Sequence, residues 1–168
     1  MTKTLTGKVA LVTGGSRGIG AASARALAEQ GANVAISYVA SPDKAEAVVA
    51  DLKARGVQAR AYKADQASSA EVDQLVNDVA KDFGRLDILV NNAGVAVGGP
   101  IDDVNTDPAA LARQDAINVH GVISAIRAAS PIAPAPRSPR PPHRTIAAPR
   151  ARRAFARHRS APAVVRCG

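Results

Sequence analysis

The chain has 168 residues, enough for one domain with a real core, and its one cysteine, Cys167, excludes a disulfide-built scaffold. Its formal net charge of +8 is unevenly placed: residues 1–130 carry 13 Lys and Arg against 14 Asp and Glu, whereas residues 131–168 carry 9 Arg and no acid. No apolar run approaches the roughly 18 residues of a membrane helix and no secretory leader opens the chain, so a soluble cytoplasmic protein is expected.

The first strand candidate is the apolar run Val9 to Val12. Thr13-Gly14-Gly15-Ser16-Arg17-Gly18-Ile19-Gly20 follows, and then an alanine-rich helical stretch, Ala21 to Gln30. Strand, glycine turn and helix in that order form a phosphate cradle. The glycines let the backbone turn sharply and approach a ligand, and the new helix aims free N–H groups and its positive dipole end at an anion. The spacing Gly-x-x-x-Gly-x-Gly is a variant of the dinucleotide fingerprint. Gly14, Ser16, Arg17, Gly18, Ile19 and Gly20 are therefore candidate nucleotide contacts.

Val34 to Val39 reads as a short second strand. Ser41-Pro42 opens a helix, with Ser41 at the N-cap and Pro42 at the first helical position. Ala45, Val48, Val49 and Leu52 fall at i, i+3, i+4 and i+7, one face of that helix. Val57, Ala59 and Ala61 alternate with Gln58, Arg60 and Tyr62, the period-2 pattern of a half-exposed edge strand. Ser68 and Glu71 have capping-box spacing. The helix they open carries Val72, Leu75, Val76, Val79 and Phe83 on one face. Leu86 to Val90 is a buried strand candidate. Gly31, Gly56 and Gly84 each close a helix just before the next strand.

Strands alternating with helices imply an α/β fold, a Rossmann-type doubly wound parallel sheet built by right-handed crossovers. Strand one is expected between strands two and four, with strand three at an edge. Asn91-Asn92-Ala93-Gly94 then forms a polar turn at the carboxyl end of a strand, where an open α/β sheet binds ligand. A long helix is expected from about Pro108 to Ala129, with Ile117, Val122, Ile123 and Ile126 among its apolar residues. Asn118 interrupts that apolar pattern, and taken alone it reads as a core Asn bonded to backbone.

Four segments in this order and separation match a family: Thr13 to Gly20, Asp65 after the third strand, Asn91 to Gly94, and Asn118-Val119-His120-Gly121. Across about residues 5 to 130 the chain resembles the short-chain dehydrogenase/reductase family, and in Gly84 to Gly94 its 3-oxoacyl carrier-protein reductase-like members. The resemblance implies that Gly14, Gly18 and Gly20 shape a pyrophosphate turn and that Ile19 offers it a backbone N–H. It implies that Asp65 meets the adenine, and that Asn91, Ala93 and Gly94 line the adenosine side and brace the central strand. It gives Asn118 a catalytic part, holding a proton-relay water beside a lysine. Family members also pair into homo-oligomers, commonly through the long helix that holds Asn118 and the helix after it, of which only the first is expected here.

The choice between the two nicotinamide dinucleotides follows from charge. NAD binding usually uses an acid about 20 residues past the glycines, on the ribose 2′-OH. This chain has no acid between Glu29 and Asp43. Arg17 stands inside the glycine turn, where a guanidinium fork suits a 2′-phosphate, and Ser37 and Lys44 are placed to assist. NADP(H) is therefore expected over NAD(H).

The family reduces carbonyls with Tyr-x-x-x-Lys and a preceding Ser, the Tyr donating a proton while the cofactor carries the hydride. Here the only tyrosines are Tyr38 and Tyr62, and no Lys follows Lys81. An incomplete NAD(P)-binding domain is expected over 1–130, truncated after the fourth strand and the long helix, with a small carbonyl substrate only in a complete form. Residues 131–168 hold 8 of the 11 prolines and show no periodicity, so a disordered or out-of-frame basic tail is expected. Arg without Lys, joined to Pro and Ala, is what GC-rich DNA yields in a shifted frame. His143, His158 and Cys167 lack metal-ligand spacing, so no metal is expected. Two other readings stand beside the oxidoreductase: a catalytically inactive nucleotide-binding protein, and a nucleic-acid binder acting through the basic tail. The second is disfavoured because Phe155 is the tail's one aromatic residue.

Overall fold

A computed structural model describes residues 3–99 and 107–132. The basic tail from residue 133 onward, on which several of the expectations above fall, lies outside the described residues. The elements run β1 (Val9–Val12), α1 (Gly18–Glu29), β2 (Asn33–Tyr38), α2 (Pro42–Ala54), β3 (Ala59–Lys63), α3 (Ser69–Phe83), β4 (Ile88–Val90), α4 (Pro108–Asp115) and α5 (Gly121–Ala129). The four strands form one parallel sheet in the order β3-β2-β1-β4. This is the expected order, with β1 and β2 inside and β3 at an edge.

Helices cover both faces of the sheet, and side-chain alternation along the strands sorts the core into two layers. Val12, Val34 and Ile36 pack with Ala21, Ala24, Val48, Val49 and Leu52 from α1 and α2. Val9, Leu11 and Ala35 point the other way, onto Leu75, Val76 and Val79 of α3 and Ala129 at the end of α5. β1 is buried along its whole length because it has a strand on each side and a helical layer on each face.

Gly31, Gly56 and Gly84 all take positive φ just after a helix, as their placement predicted. Pro42 does open α2, but the Ser41 side chain makes no cap hydrogen bond. The Ser68–Glu71 box closes on one side only. The Ser68 hydroxyl accepts from the Glu71 N–H at 3.3 Å, whereas the Glu71 carboxylate accepts from the Asp65 N–H at 2.9 Å. Glu71 thus ties α3 to the loop after β3 rather than to its own cap.

The long helix is interrupted by a change of register. Residues Ala116–His120 form a π-helical turn between α4 and α5. A π turn adds a residue to the helical ring and shifts every side chain beyond it around the axis. Val119, Ile123 and Ile126 are 48%, 40% and 50% exposed. No helix among the described residues is long and apolar enough to cross a membrane.

Candidate functional site

The glycine turn after β1 is held from three directions. Its Gly14 N–H donates to the Ser37 hydroxyl at 3.2 Å, and its Gly15 N–H donates to the Ser37 carbonyl at 2.9 Å. From the other side, the Asn92 amide donates to the carbonyls of Thr13, at 2.8 Å, and Gly14, at 3.1 Å. The buried Thr13 hydroxyl accepts the N–H groups of Asn92 and Ala93, each at 3.0 Å. Turns that are remote in sequence are thereby welded where the ends of β1, β2 and β4 meet.

That weld shapes the start of α1. Gly14 sits at φ +65°, a conformation costly for any residue with a Cβ. A Cβ on Gly20 would run into the Gly14 carbonyl and the Asn92 amide. Arg17 occupies the N-cap with extended backbone, no side chain caps the helix, and no acid stands in its first turn. The first N–H groups of a helix have no partner inside it. At α1 they meet the positive end of the dipole with no carboxylate to neutralise it.

A cavity of about 420 Å³ opens over this terminus. One wall is the glycine turn with Ser16, Arg17, Ile19 and Gly20, and another is the end of β2, from Ser37 to Ser41. The third comes from the loop after β3, with Ala64, Asp65 and Gln66, and the fourth from Asn92, Ala93, Gly94 and Val95 after β4. Arg113 and Ile117 reach in from α4 and the π turn. Among the described residues Asp65 is the only acid of this lining, against Arg17 and Arg113. The donor set and the open helix terminus fit a phosphate-bearing dinucleotide.

Asp65 is firmly held. One carboxylate oxygen accepts the Ala67 N–H at 3.0 Å, and the Arg113 guanidinium lies 3.0 and 3.3 Å from the two oxygens. The Ala67 N–H, and then the Arg113 pair, hold its carboxyl below the ordinary carboxylate range against the opposing effect of burial.

Most of the residues singled out in the sequence come together here. Gly14, Ser16, Arg17, Ile19, Gly20, Ser37, Asp65, Ala93 and Gly94 line the cavity, and Gly18 opens α1 at φ +55° beside them. Asn91 is exposed and outside the lining, and Asn92 occupies the bracing position instead. Lys44 lies exposed on α2, away from the cavity wall. Asn118 is also outside the lining. Its side chain accepts the Val95 N–H at 3.0 Å and donates to the Val95 carbonyl at 2.8 Å, anchoring the π turn to the segment after β4. Tyr38 stands at the cavity wall, whereas the Tyr62 hydroxyl donates to Asp82 at 2.7 Å on the sheet edge. Thr13, Asn92, Gln66 and Arg113 were not singled out for the site. Among the described residues no group of three or more His, Cys, Asp or Glu is placed to hold a metal.

A parallel sheet in this order, with an open helix terminus over a glycine turn at its carboxyl edge, defines a dinucleotide-binding α/β protein. The short chain dehydrogenase family model matches residues 8–137, and the chain belongs to that family. It is 53% identical over 88 residues to a 3-oxoacyl-[acyl-carrier-protein] reductase of Staphylococcus epidermidis, a match covering 52% of this chain and 36% of the relative. It is 45% identical over 126 residues to an uncharacterised oxidoreductase of Methylorubrum extorquens, covering 75% of this chain and 50% of that protein. Among solved structures, a short chain dehydrogenase of Burkholderia cenocepacia in complex with NADP superimposes with a TM-score of 0.74 at 49% identity, over 77% of this chain and 52% of that one. A blue fluorescent protein from a metagenomic library, in complex with NADPH, gives a TM-score of 0.73 at 46% identity over 77% and 53%. The chain thus spans about a third to a half of the length of these relatives.

Proposed function

We propose that the cleft binds NADP(H), and that the chain supplies the cofactor-binding half of a carbonyl or alcohol oxidoreductase. The observation that carries this reading is the wall at the end of β2. Ser37, Tyr38, Val39, Ala40 and Ser41 line it without a carboxylate, and Arg17 stands opposite at the uncapped start of α1. An acid there would take a ribose 2′-OH and repel a 2′-phosphate, whereas a guanidinium takes the phosphate by charge-assisted hydrogen bonds. The NADP and NADPH complexes of the structural relatives support the same choice.

In this reading the first N–H groups of α1 take the pyrophosphate and Arg17 the 2′-phosphate. Asp65 faces the base. Thr13, Ser37 and Asn92 keep the turn in shape, with the Ser37 carbonyl and hydroxyl already engaged by Gly15 and Gly14. The cofactor, when bound, supplies the hydride. Proton donation to a carbonyl needs a second group, and no Tyr-x-x-x-Lys exists in the chain. Asn118 makes its two bonds to Val95 without a lysine to work beside.

The test is a fluorescence titration with NADPH and NADH, followed by NADPH oxidation over a panel of small ketones. Tighter NADPH binding with no turnover above background is expected. Equal affinity for the two cofactors would overturn the 2′-phosphate assignment. Steady turnover would overturn the division between cofactor binding and chemistry.

A further inference from the structure

We propose that α4 is a strap across the cleft, hinged at the π turn and latched by Arg113 on Asp65, and that the nucleotide enters and leaves when this latch opens. This rests on the reading of the cleft as an NADP(H) site, but it concerns the rates of exchange and assigns Arg113 no contact to the cofactor.

α4 is held differently from the helices before it. α1, α2 and α3 each bury four residues, whereas α4 buries none, and its one large apolar side chain, Leu111, stands exposed. An element with so few buried apolar contacts opens at low free energy. The first residue beyond it to reach the core is Ile117, inside the π turn. From there the backbone is fixed, with Asn118 bonded to Val95 and Gly121 against Gln66. The boundary between the free and the anchored part coincides with the change of helical type. The Ala116 N–H still donates to the Ala112 carbonyl, four residues back, whereas the Gly121 N–H reaches the Ala116 carbonyl, five back. Such π turns are frequent at functional sites, and a hinge needs only a few residues at the end of an element.

Ahead of the hinge α4 is tied to two different segments at the cleft. Arg113 Nη2 lies 3.0 and 3.3 Å from the carboxylate oxygens of Asp65, in the loop after β3. The Gln114 side-chain carbonyl accepts the Val97 N–H at 2.6 Å, in the segment after β4. These are α4's side-chain ties to the body among the described residues. Asp65 and Val95 line opposite parts of the same cavity, so a helix fastened to both segments lies across it, with Arg113 in the lining. Arg113 is 53% exposed and the Asp65 side chain 28%. An ion pair so placed shifts an equilibrium by about two- to fivefold. A latch of that strength holds the strap down without trapping the nucleotide beneath it.

The experiment is stopped-flow fluorescence of NADPH binding and release with the unmodified chain, Arg113→Leu, Gln114→Ala and the double variant. With NADPH in excess, both rate constants are independent of how much of a variant is folded. A latch that must open for entry and for exit slows both alike. Arg113→Leu is therefore expected to raise the association and dissociation rate constants together, by about two- to fivefold, with little change in Kd. Gln114→Ala, which alters no residue of the cavity lining, is expected to act in the same direction, and the double variant to exceed either. A faster dissociation alone, with Kd weakened in proportion, would make Arg113 a contact to the nucleotide and overturn the latch. Unchanged rate constants in the double variant, with NADPH still bound, overturn the strap and leave the cofactor site standing. No binding by the unmodified chain overturns the cofactor reading and this inference with it.

Discussion

Replacing Thr13 by Val tests whether the cleft is built by its hydrogen-bonded weld. Valine keeps the branched shape in a site of zero exposure but removes the hydroxyl. The N–H groups of Asn92 and Ala93, each 3.0 Å from that oxygen, then lose their acceptor. The Val90 carbonyl loses the hydroxyl as a donor, at 3.4 Å, but keeps the Thr13 N–H, which donates to it at 3.0 Å. A buried donor left unpaired costs about 1–3 kcal/mol. These two are only partly buried, so the lower end applies, about 2 kcal/mol for both. In a domain of this size that lowers the melting temperature by about 6–10 °C. NADPH binding should weaken as well, because the turn that shapes the start of α1 is loosened. Thr13→Ser retains the acceptor and should lose less in both measurements. Thermal melts followed by circular dichroism, with parallel NADPH titrations, decide the matter. If Thr13→Val melts with Thr13→Ser and binds equally well, the hydroxyl is not what joins the two turns.

Arg17→Ala should weaken NADPH by about 1–3 kcal/mol while leaving NADH nearly unchanged, since only the former carries a phosphate to lose its partner; parallel titrations with both cofactors check this. Gly20→Ala should cost about 1–3 kcal/mol of stability by crowding the Gly14 carbonyl and the Asn92 amide, and a melt unchanged from the parent would refute the close approach. Burial would raise the Asp87 carboxyl, but Arg85, the Val9 N–H and Lys8 outweigh it and hold it at about 2. Its contribution, about 2 kcal/mol, is therefore complete above about pH 5 and lost as pH falls toward 2, and urea unfolding of Asp87→Asn should lack that acid-side slope. The coding DNA just downstream of the Ala128-Ala129-Ser130 codons, read in its other two frames, should yield a Ser followed by Tyr-x-x-x-Lys; if neither frame contains that pattern, the shifted-frame explanation of the Arg- and Pro-rich tail is wrong.

The sheet was legible because its determinants are local. Apolar runs four to six residues long, helical spacing between them and a glycine after each helix leave little freedom, and right-handed crossovers then set the strand order. The glycine turn was legible for the same reason, since a fixed backbone path demands Gly at fixed offsets. The residues that finish the site are joined across distance. Asn92 bonds to Thr13 and Gly14, 79 and 78 residues earlier, and can do so only because β4 pairs with β1 with Val90 opposite Val12. One residue of register decides whether Asn91 or Asn92 carries the brace, and a strand's alternation alone does not say where the strand stops. Arg113 meets Asp65 across 48 residues through a helix that buries nothing, so no hydrophobic pattern marks the contact.

Asn118 shows a different limit. Its polar character within an apolar pattern suggested a core Asn bonded to backbone; it does bond to backbone, but it is exposed rather than in the core, and the backbone is that of Val95 rather than its own helix. The π turn makes this reach available. By inserting a residue into the helical ring it turns Asn118 toward the segment after β4 and rotates the residues beyond it, and Gly121 is then needed because a Cβ there would strike the Gln66 carbonyl. The same rotation bears on Ile123 and Ile126, which stand 40% and 50% exposed. The two features are thus linked by one helical irregularity: the shift that seats Asn118 beside the cleft also sets which side chains of α5 the α3 layer covers. A stability measurement on variants of Ile123 and Ile126 therefore reports on a different surface from one on Asn118, although all three residues lie within nine positions of one helix.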